Sequence, residues 1–403
     1  MTAVGAAPRR VVSLIHSGAF GGPHNQAICL APELAARGCE LIVVLPDEPG
    51  DAAPRMRAAG IDVVQMPLIR PRRHLRYLPG LAFRYARQIR QLARRLRDWE
   101  ADIVEIHGLT NIDGAIAARM AGCALVWQLI DTRPPMSLRR LLMPVVTRLA
   151  DVVMTTGVAV AQEYPRCLDL GERLVPYVPP VAPFEPVEPS TRQALRRRYG
   201  AIESDVLLVA VGNQNPQKGH DILLRAAARL CEMRPAVRVL IRGAQQPGHE
   251  SYARELQRLS LAGPAGRLSV AELEPGVAIT DLMGAADVFV LSAKRRSEGI
   301  PTVVLEALAA GTPAVVADVG AVREVVPPSV GVVVKPENEG ALLDALISLI
   351  DDEDRRRAMR HRAPTASATA ASPRVFGEAE WKAFVLAMHH SQVRAARRRV
   401  SAR

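Results

Sequence analysis

Short apolar runs rich in Val, Ile and Leu alternate along this chain with longer segments of helical periodicity. That alternation limits the fold more than any other feature. Parallel strands need a crossover between them, usually a helix, and strands that are apolar on both faces must be covered on both. Val11–Ile15 reads as a strand, residues 17–22 as a glycine-containing loop, and about 23–37 as a helix stopped by Gly38. Strands are expected at 41–45, 61–65, 103–106 and 125–129, with helices at about 80–97 and 113–121. Proline then recurs too often for a helix or a central strand, in YVPPVAPFEPVEP, which marks a semi-rigid linker. The alternation restarts with strands at 206–211, 237–242, 288–291, 314–317 and 332–334 and helices at 219–232, 250–261, 302–310 and 339–350. Residues 351–374, charged and then rich in Ala, Ser, Thr and Pro, are expected to be loosely ordered, and a last helix is expected over about 378–390. The expectation is an α/β chain of two Rossmann-like doubly wound domains with a ligand in an interdomain cleft. The boundaries read 1–178, a linker at 179–190, 191–374, and 375–403 as a helix crossing back to the first domain with a basic tail.

A length of 403 residues, 49% apolar and 23% charged, excludes a disordered chain or a coiled-coil rod. No stretch reaches the roughly 18 apolar residues of a spanning helix, and Val11–Ile15 is too short for a secretory core. The five cysteines (29, 39, 123, 167, 231) never form Cys-x-x-Cys and read as reduced thiols of the cytoplasm. The net charge of +11 comes from 48 Arg and only 4 Lys. It favours anionic partners, although so uniform an Arg bias says little about any one arginine.

Three motifs carry chemistry. In SEGIPTVVLEALAAGTPAVV, Glu298 and Glu306 flank seven residues, Gly299 lets backbone approach a ligand, and Pro301 precedes a helix that ends at Gly311. One carboxylate falls in the loop and one on the helix, beside a positive helix end suited to a diphosphate; carboxylates also accept from the paired hydroxyls of a sugar or ribose. Taken alone, the pair reads more readily as a solvated loop acid and a surface charge on a helix. In VGNQNPQKGHDILL, a strand ends at Gly212 and Lys218-Gly219 opens a helix; a lysine this scarce in the chain points to phosphate. Gly21-Gly22 follows the first strand without dinucleotide-fingerprint spacing, and a tight turn would explain it as well. Residues 70–97 hold ten arginines: 84, 87, 90, 94 and 97 line one face, and Leu81, Tyr85, Ile89 (or Gln88), Leu92, Leu96 and Trp99 recur on another. Such a helix packs on a core with a solvated Arg face, or lies on an anionic membrane. No Asp-x-Asp follows a strand, and Asp351–Asp354 reads as a solvated linker, so a metal is not implied.

With these residues in view, the chain resembles the retaining glycosyltransferases of family 4, of two-Rossmann-domain (GT-B) architecture, most closely over residues 206–334. The resemblance implies that Glu298 meets the donor sugar, with Gly299 and Ile300 beside it, and that Glu306 meets the ribose of a nucleoside-diphosphate sugar. It also puts Lys218 on the diphosphate and Gly21 and Gly22 near the donor phosphate. Asn213 stands where the family usually has arginine. Ile130, followed by Asp131, stands where it commonly has a sugar-contacting histidine. His107, at a strand end, occupies another recurrent position and is expected to face the cleft. The resemblance implies transfer of a sugar with retention to a glycan or lipid-linked acceptor by a cytoplasmic enzyme, with peripheral contact to the inner membrane surface left open and no cofactor. No dedicated general base is evident, which suits deprotonation of the acceptor by the leaving phosphate. Two readings compete: a degenerate, non-catalytic glycan- or nucleotide-binding protein, and an epimerase or phosphorylase on the same fold. A nucleic-acid binder ranks last, since aromatics are only 4%.

Overall fold

The computed structural model describes residues 8–68, 78–182, 184–296 and 298–401. Arg70, Arg72, Arg73 and Arg76 of the basic segment, and Ser297, lie outside the described residues. Two compact units emerge, one running to Pro180 and resuming at Pro373, the other Val181–Ser372.

The first unit alternates β1 (Arg10–Leu14), α1 (Gly22–Ala35), β2 (Glu40–Pro46), α2 (Ala52–Ala58), β3 (Asp62–Met66), α3 (Leu78–Asp98) and β4 (Ile103–His107). It continues with α4 (Ile112–Ala121), β5 (Ala124–Leu129), α5 (Met136–Leu149), β6 (Val152–Thr156), α6 (Val158–Gln162) and β7 (Leu174–Tyr177). Its seven strands pair in parallel in the order β3-β2-β1-β4-β5-β6-β7. The second unit runs α7 (Pro189–Arg198), β8 (Val206–Val211), α8 (His220–Met233), β9 (Val237–Arg242), α9 (Glu250–Ala262), β10 (Leu268–Ala271) and α10 (Ile279–Ala285). Then come β11 (Val288–Leu291), α11 (Thr302–Ala309), β12 (Ala314–Ala317), β13 (Gly331–Val334), α12 (Glu339–Asp351) and α13 (Glu353–Ala371). Its six parallel strands take the order β10-β9-β8-β11-β12-β13. Central strands β1, β4, β8 and β11 are buried almost throughout, as their unbroken apolar runs require.

The final helix, α14 (Pro373–Ser401), belongs to the first unit. Its Phe376, Ala383, Phe384 and Ala387 share a core with Val11, Leu30, Val126 and Met154. At Gly377 it runs against α1 so closely that a Cβ there would lie 2.7 Å from the Glu33 side chain.

The expectation of loose order over 351–374 is corrected. Asp352 accepts a hydrogen bond from the Arg355 amide and so caps α13, whereas the sequence suggested a solvated acidic linker. Ala363, Ser367 and Ala371 recur every fourth residue, are buried, and let the helix approach α11, with Ser367 Oγ donating to the Leu305 carbonyl at 2.9 Å. Small residues at helical spacing look like low complexity when only bulky apolar residues are counted. β10 and α10, and the segment from α5 to β7, carry regular structure that the apolar runs alone did not mark.

In each sheet the order reverses at one point, between β1 and β4 in the first unit and between β8 and β11 in the second. Loops leaving the carboxyl ends of two such strands diverge and open a crevice, where α/β proteins bind ligands.

Candidate functional site

In the second unit the crevice is framed by the loop after β8, residues 212–219, and the loop after β11, residues 292–301. Gly219 adopts φ +64, a left-handed conformation, and a Cβ there would lie 2.0 Å from the Ser292 carbonyl oxygen. Only glycine lets the two loops meet this closely. Lys218, just before it, lays its stem along Gly212, where a Cβ would sit 3.3 Å from its Cδ and Cε, and its Nζ donates to Glu298 Oε1 at 2.6 Å. Two residues eighty positions apart are thus joined in one mostly buried ion pair, with side chains 18% and 12% exposed.

The second loop is fixed from beneath. Gly320 at φ +55 presses so close to Gly299 that a Cβ would fall 1.7 Å from the Gly299 oxygen, and the Ala321 amide donates to that oxygen at 3.0 Å. Gly299 and Ile300 are both buried. The loop feeds into α11 through Pro301, which offers no side-chain cap, and the helix has no acidic residue in its first turn. The positive end of α11 is therefore uncompensated. The Glu306 side chain, in the second turn, makes no hydrogen bond or ion pair with the described residues, and burial pushes its carboxyl above the usual carboxylate range. An unpaired, half-buried acid beside a bare helix N-terminus can accept hydroxyl protons from a ligand whose phosphate meets the helix. Asn213 is exposed, and its carbonyl accepts from the Asn215 amide at 2.8 Å; its side chain adds no charge to Lys218.

His220, which the sequence reading passed over, supports this loop. Its Nε2–H donates to the Gly212 carbonyl at 3.1 Å while Nδ1 stays buried and unpaired, and burial lowers its pKa to about 4. The folded protein therefore refuses a proton that the unfolded chain accepts below about 6.5. Stability from this group is whole above that value and is lost as pH falls toward 4. Denaturant titrations should show wild-type stability dropping on the order of 3 kcal/mol more than that of His220→Gln between pH 7 and pH 4. Parallel pH curves would refute a buried neutral imidazole.

In the first unit Gly21 precedes α1 in extended conformation and Gly22 begins it, and a Cβ at either would meet nothing within 4 Å. The turn therefore does not require glycine at these positions, and the space above them is open. His24, also unforeseen, accepts the Gly21 amide at Nδ1 (3.1 Å) and donates from Nε2 to the Ser17 carbonyl (2.9 Å), which ties the loop down. His107 does not stand free at the strand end as expected. It is buried, and its Nε2 lies 2.9 Å from Ser13 Oγ and 3.4 Å from Glu105 Oε2, within an internal network that Gln128 extends to Glu380 of α14. Buried beside Glu105, the Glu380 carboxyl is raised well above the usual range. Asp131 accepts the Arg133 amide at 3.0 Å and lies 3.7 Å from its guanidinium, so it serves its own turn. Sequence reasoning also missed His16, just after β1, and Asp113, in the first turn of α4, paired at 3.1 Å. On α3, Tyr85, Gln88, Ile89, Leu92 and Leu96 face inward while Arg84, Arg87, Arg90, Arg94 and Arg97 are exposed.

The two Rossmann-like units, each with a strand-end crevice, place the chain in the GT-B architecture. Solved structures with that fold include Anabaena HepE in complex with UDP (21% identity, 92% of this chain and 97% of that one, TM-score 0.74). Another is a glycosyltransferase from Rickettsia africae (14% identity, 93% and 97%, TM-score 0.77). In sequence order, a glycosyl transferase 4-like domain model matches residues 21–180 and a glycosyl transferases group 1 model matches residues 191–366. Among curated relatives, the GDP-mannose-dependent monoacylated alpha-(1-6)-phosphatidylinositol monomannoside mannosyltransferase of Corynebacterium glutamicum is 31% identical over 49% of this chain and 49% of its own length. The D-inositol 3-phosphate glycosyltransferase of Thermobispora bispora is 32% identical over 56% and 55%. The chain thus spans about half the length of the curated relatives it matches. Among the described residues, no helix is long and apolar enough to cross a membrane.

Proposed function

We propose that this protein is a glycosyltransferase that moves a sugar from a nucleoside-diphosphate donor to a hydroxyl of a glycan or lipid-linked acceptor, with retention of configuration. The observation that carries this reading is the second-unit crevice, where one lysine, one paired acid and one unpaired acid surround an uncapped helix start. Departure of the diphosphate builds charge on oxygen. Lys218 and the α11 N-terminus supply fixed positive groups for it, so a resident metal is not part of the proposal. Glu298 takes the sugar hydroxyls and Glu306 the ribose. HepE's complex with UDP and the GDP-mannose dependence of the Corynebacterium glutamicum relative support a nucleotide sugar without choosing the base. The reading places the enzyme in the cytoplasm, its exposed α3 arginines available to an anionic inner-membrane surface.

A non-catalytic sugar-nucleotide binder is the second reading, favoured by the uncharged, exposed Asn213 in the crevice. Calorimetry with UDP-, GDP-, ADP- and TDP-sugars tests both. Micromolar binding of at least one donor, followed by its turnover with an acceptor, is the expected result. Binding without turnover would select the second reading, and no binding by any donor would reject both.

A further inference from the structure

In the second unit, β9 has one face that is not built like a core strand. Its residues alternate, and Val237, Val239 and Ile241 join a core with Leu223 and Leu230 of α8 and Leu256 of α9. Arg238, Leu240 and Arg242 turn to the opposite face, beside the edge strand β10. A doubly wound sheet usually covers that face with apolar side chains. Here a cavity of about 500 Å³ opens on it, within the size range of small-molecule sites. Four guanidiniums line it, those of Arg198, Arg238, Arg242 and Arg267, with the Tyr199 ring and one acid, Glu274. Arg242 is only 3% exposed, so its charge is not left to bulk water. Its Nη1 donates to the Ile241 carbonyl at 3.0 Å and to Ser269 Oγ at 3.2 Å, and its guanidinium carbon lies 4.9 Å from the centre of the Tyr199 ring. Its Nε is buried and makes no hydrogen bond among the described residues. Glu274 stands 3.5 Å from that nitrogen and already receives the Tyr199 hydroxyl at 2.5 Å. Arg238 and Arg267 meet at Asp205, whose carboxylate accepts from them at 3.0 and 3.4 Å. Four guanidiniums thus share two carboxylates, and the excess positive charge is concentrated at a concave, partly buried place. Arginine is abundant along the chain, but abundance does not account for one sealed into a strand face with an unspent N–H.

We propose that this cavity is a ligand site in its own right, built for the phosphate group of a small molecule. A phosphate monoester carries close to two negative charges at neutral pH, which matches the excess of guanidiniums over carboxylates. Its oxygens accept pairs of N–H bonds from planar forks, the geometry arginine offers and lysine does not. A carboxylate ligand would bring half that charge. Leu240, Leu268 and the Tyr199 ring leave apolar wall for the rest of a phosphorylated molecule. Lys218, Glu298 and Glu306 are not among the lining residues, so the site does not depend on the transferase reading.

Calorimetry at low salt, with inorganic phosphate titrated into the full chain carrying Lys218→Ala, takes the crevice's own cation out of the measurement. Binding with a dissociation constant of about 1 mM or tighter is expected. Combining Arg198→Gln with Arg267→Gln should weaken it about tenfold or more. Arg198→Gln alone, at an exposed position, should weaken it about threefold with the melting temperature unchanged, which separates lost binding from lost folding. Glucose 6-phosphate as a second probe distinguishes the sources of the phosphate. Tighter binding than inorganic phosphate assigns the cavity to a phosphorylated sugar, and equal binding assigns it to free phosphate. Phosphate that binds wild type but not Lys218→Ala would belong to the crevice and overturn the proposal. Failure to bind either chain would overturn it too, as would undiminished binding to the double arginine variant.

Discussion

Lys218→Ala should lower turnover about 100- to 1000-fold, the range seen when one fixed group opposite a developing oxyanion is removed. The size follows from where the lysine stands. Its Nζ is 2.6 Å from Glu298 and its stem is packed along Gly212, so it is held in place before any ligand arrives. Reorganisation is then a small part of its cost in the transition state. Removing the cation also leaves Glu298 as a mostly buried acid without that partner, next to the place assigned to a diphosphate. Donor affinity should therefore fall too, by about tenfold, since a buried charge stripped of its partner repels an incoming anion. Lys218→Arg should not restore the rate, because a planar guanidinium does not fit the channel along Gly212 that a narrow stem occupies. Initial rates and calorimetry on the two variants and on Glu298→Gln check this. A Lys218→Ala enzyme with unaltered turnover would separate this pair from the chemistry.

Much of this site was legible in the sequence because short-range rules generate it. An apolar run ending at Gly212, a lysine before Gly219 and a proline before α11 each fix local backbone, and the strand order then brings the loops together. The Lys218–Glu298 contact spans a long sequence interval, yet the parallel pairing of β8 with β11 makes it a neighbour contact. What stayed hidden depends on side-chain surroundings that no spacing encodes. His107 looked like a strand-end ligand, but Ser13 and Glu105 from β1 and β4 enclose it. Asp131 looked free for a sugar, but it closes a turn with Arg133. The pairing of His16 with Asp113 was invisible because nothing in the spacing of the two marks them as partners. The helical course of 353–371 was missed for another reason: after Met359 its packing face is built from Ala and Ser, so hydropathy carries little signal there.

Glu306→Gln should act in opposite directions on the free and the liganded protein. In the free protein the carboxyl is half-buried and has no hydrogen-bond or ion-pair partner among the described residues, and burial raises its pKa. Its ionised form costs free energy in the folded state. That penalty is complete above the folded-state pKa and disappears below the unfolded value, near 4.5. At pH 7.5 the uncharged amide should therefore raise unfolding stability by about 1 kcal/mol, a gain that shrinks as the solution is acidified. For a chain with two units this is read as a shift of the second unit's unfolding in calorimetry rather than as one global midpoint. With nucleotide present the sign reverses. A carboxylate that accepts from two ribose hydroxyls makes charge-assisted hydrogen bonds, which the amide reproduces only in part, so affinity should fall about 10- to 100-fold. Wild-type affinity should likewise weaken as pH drops into the raised titration range of Glu306, and the variant should not show that dependence. Stability is thus given up at this position in the free protein and recovered on binding, the pattern expected of a residue kept for a ligand. A variant that is less stable and binds as well as wild type would identify Glu306 as part of the scaffold of α11.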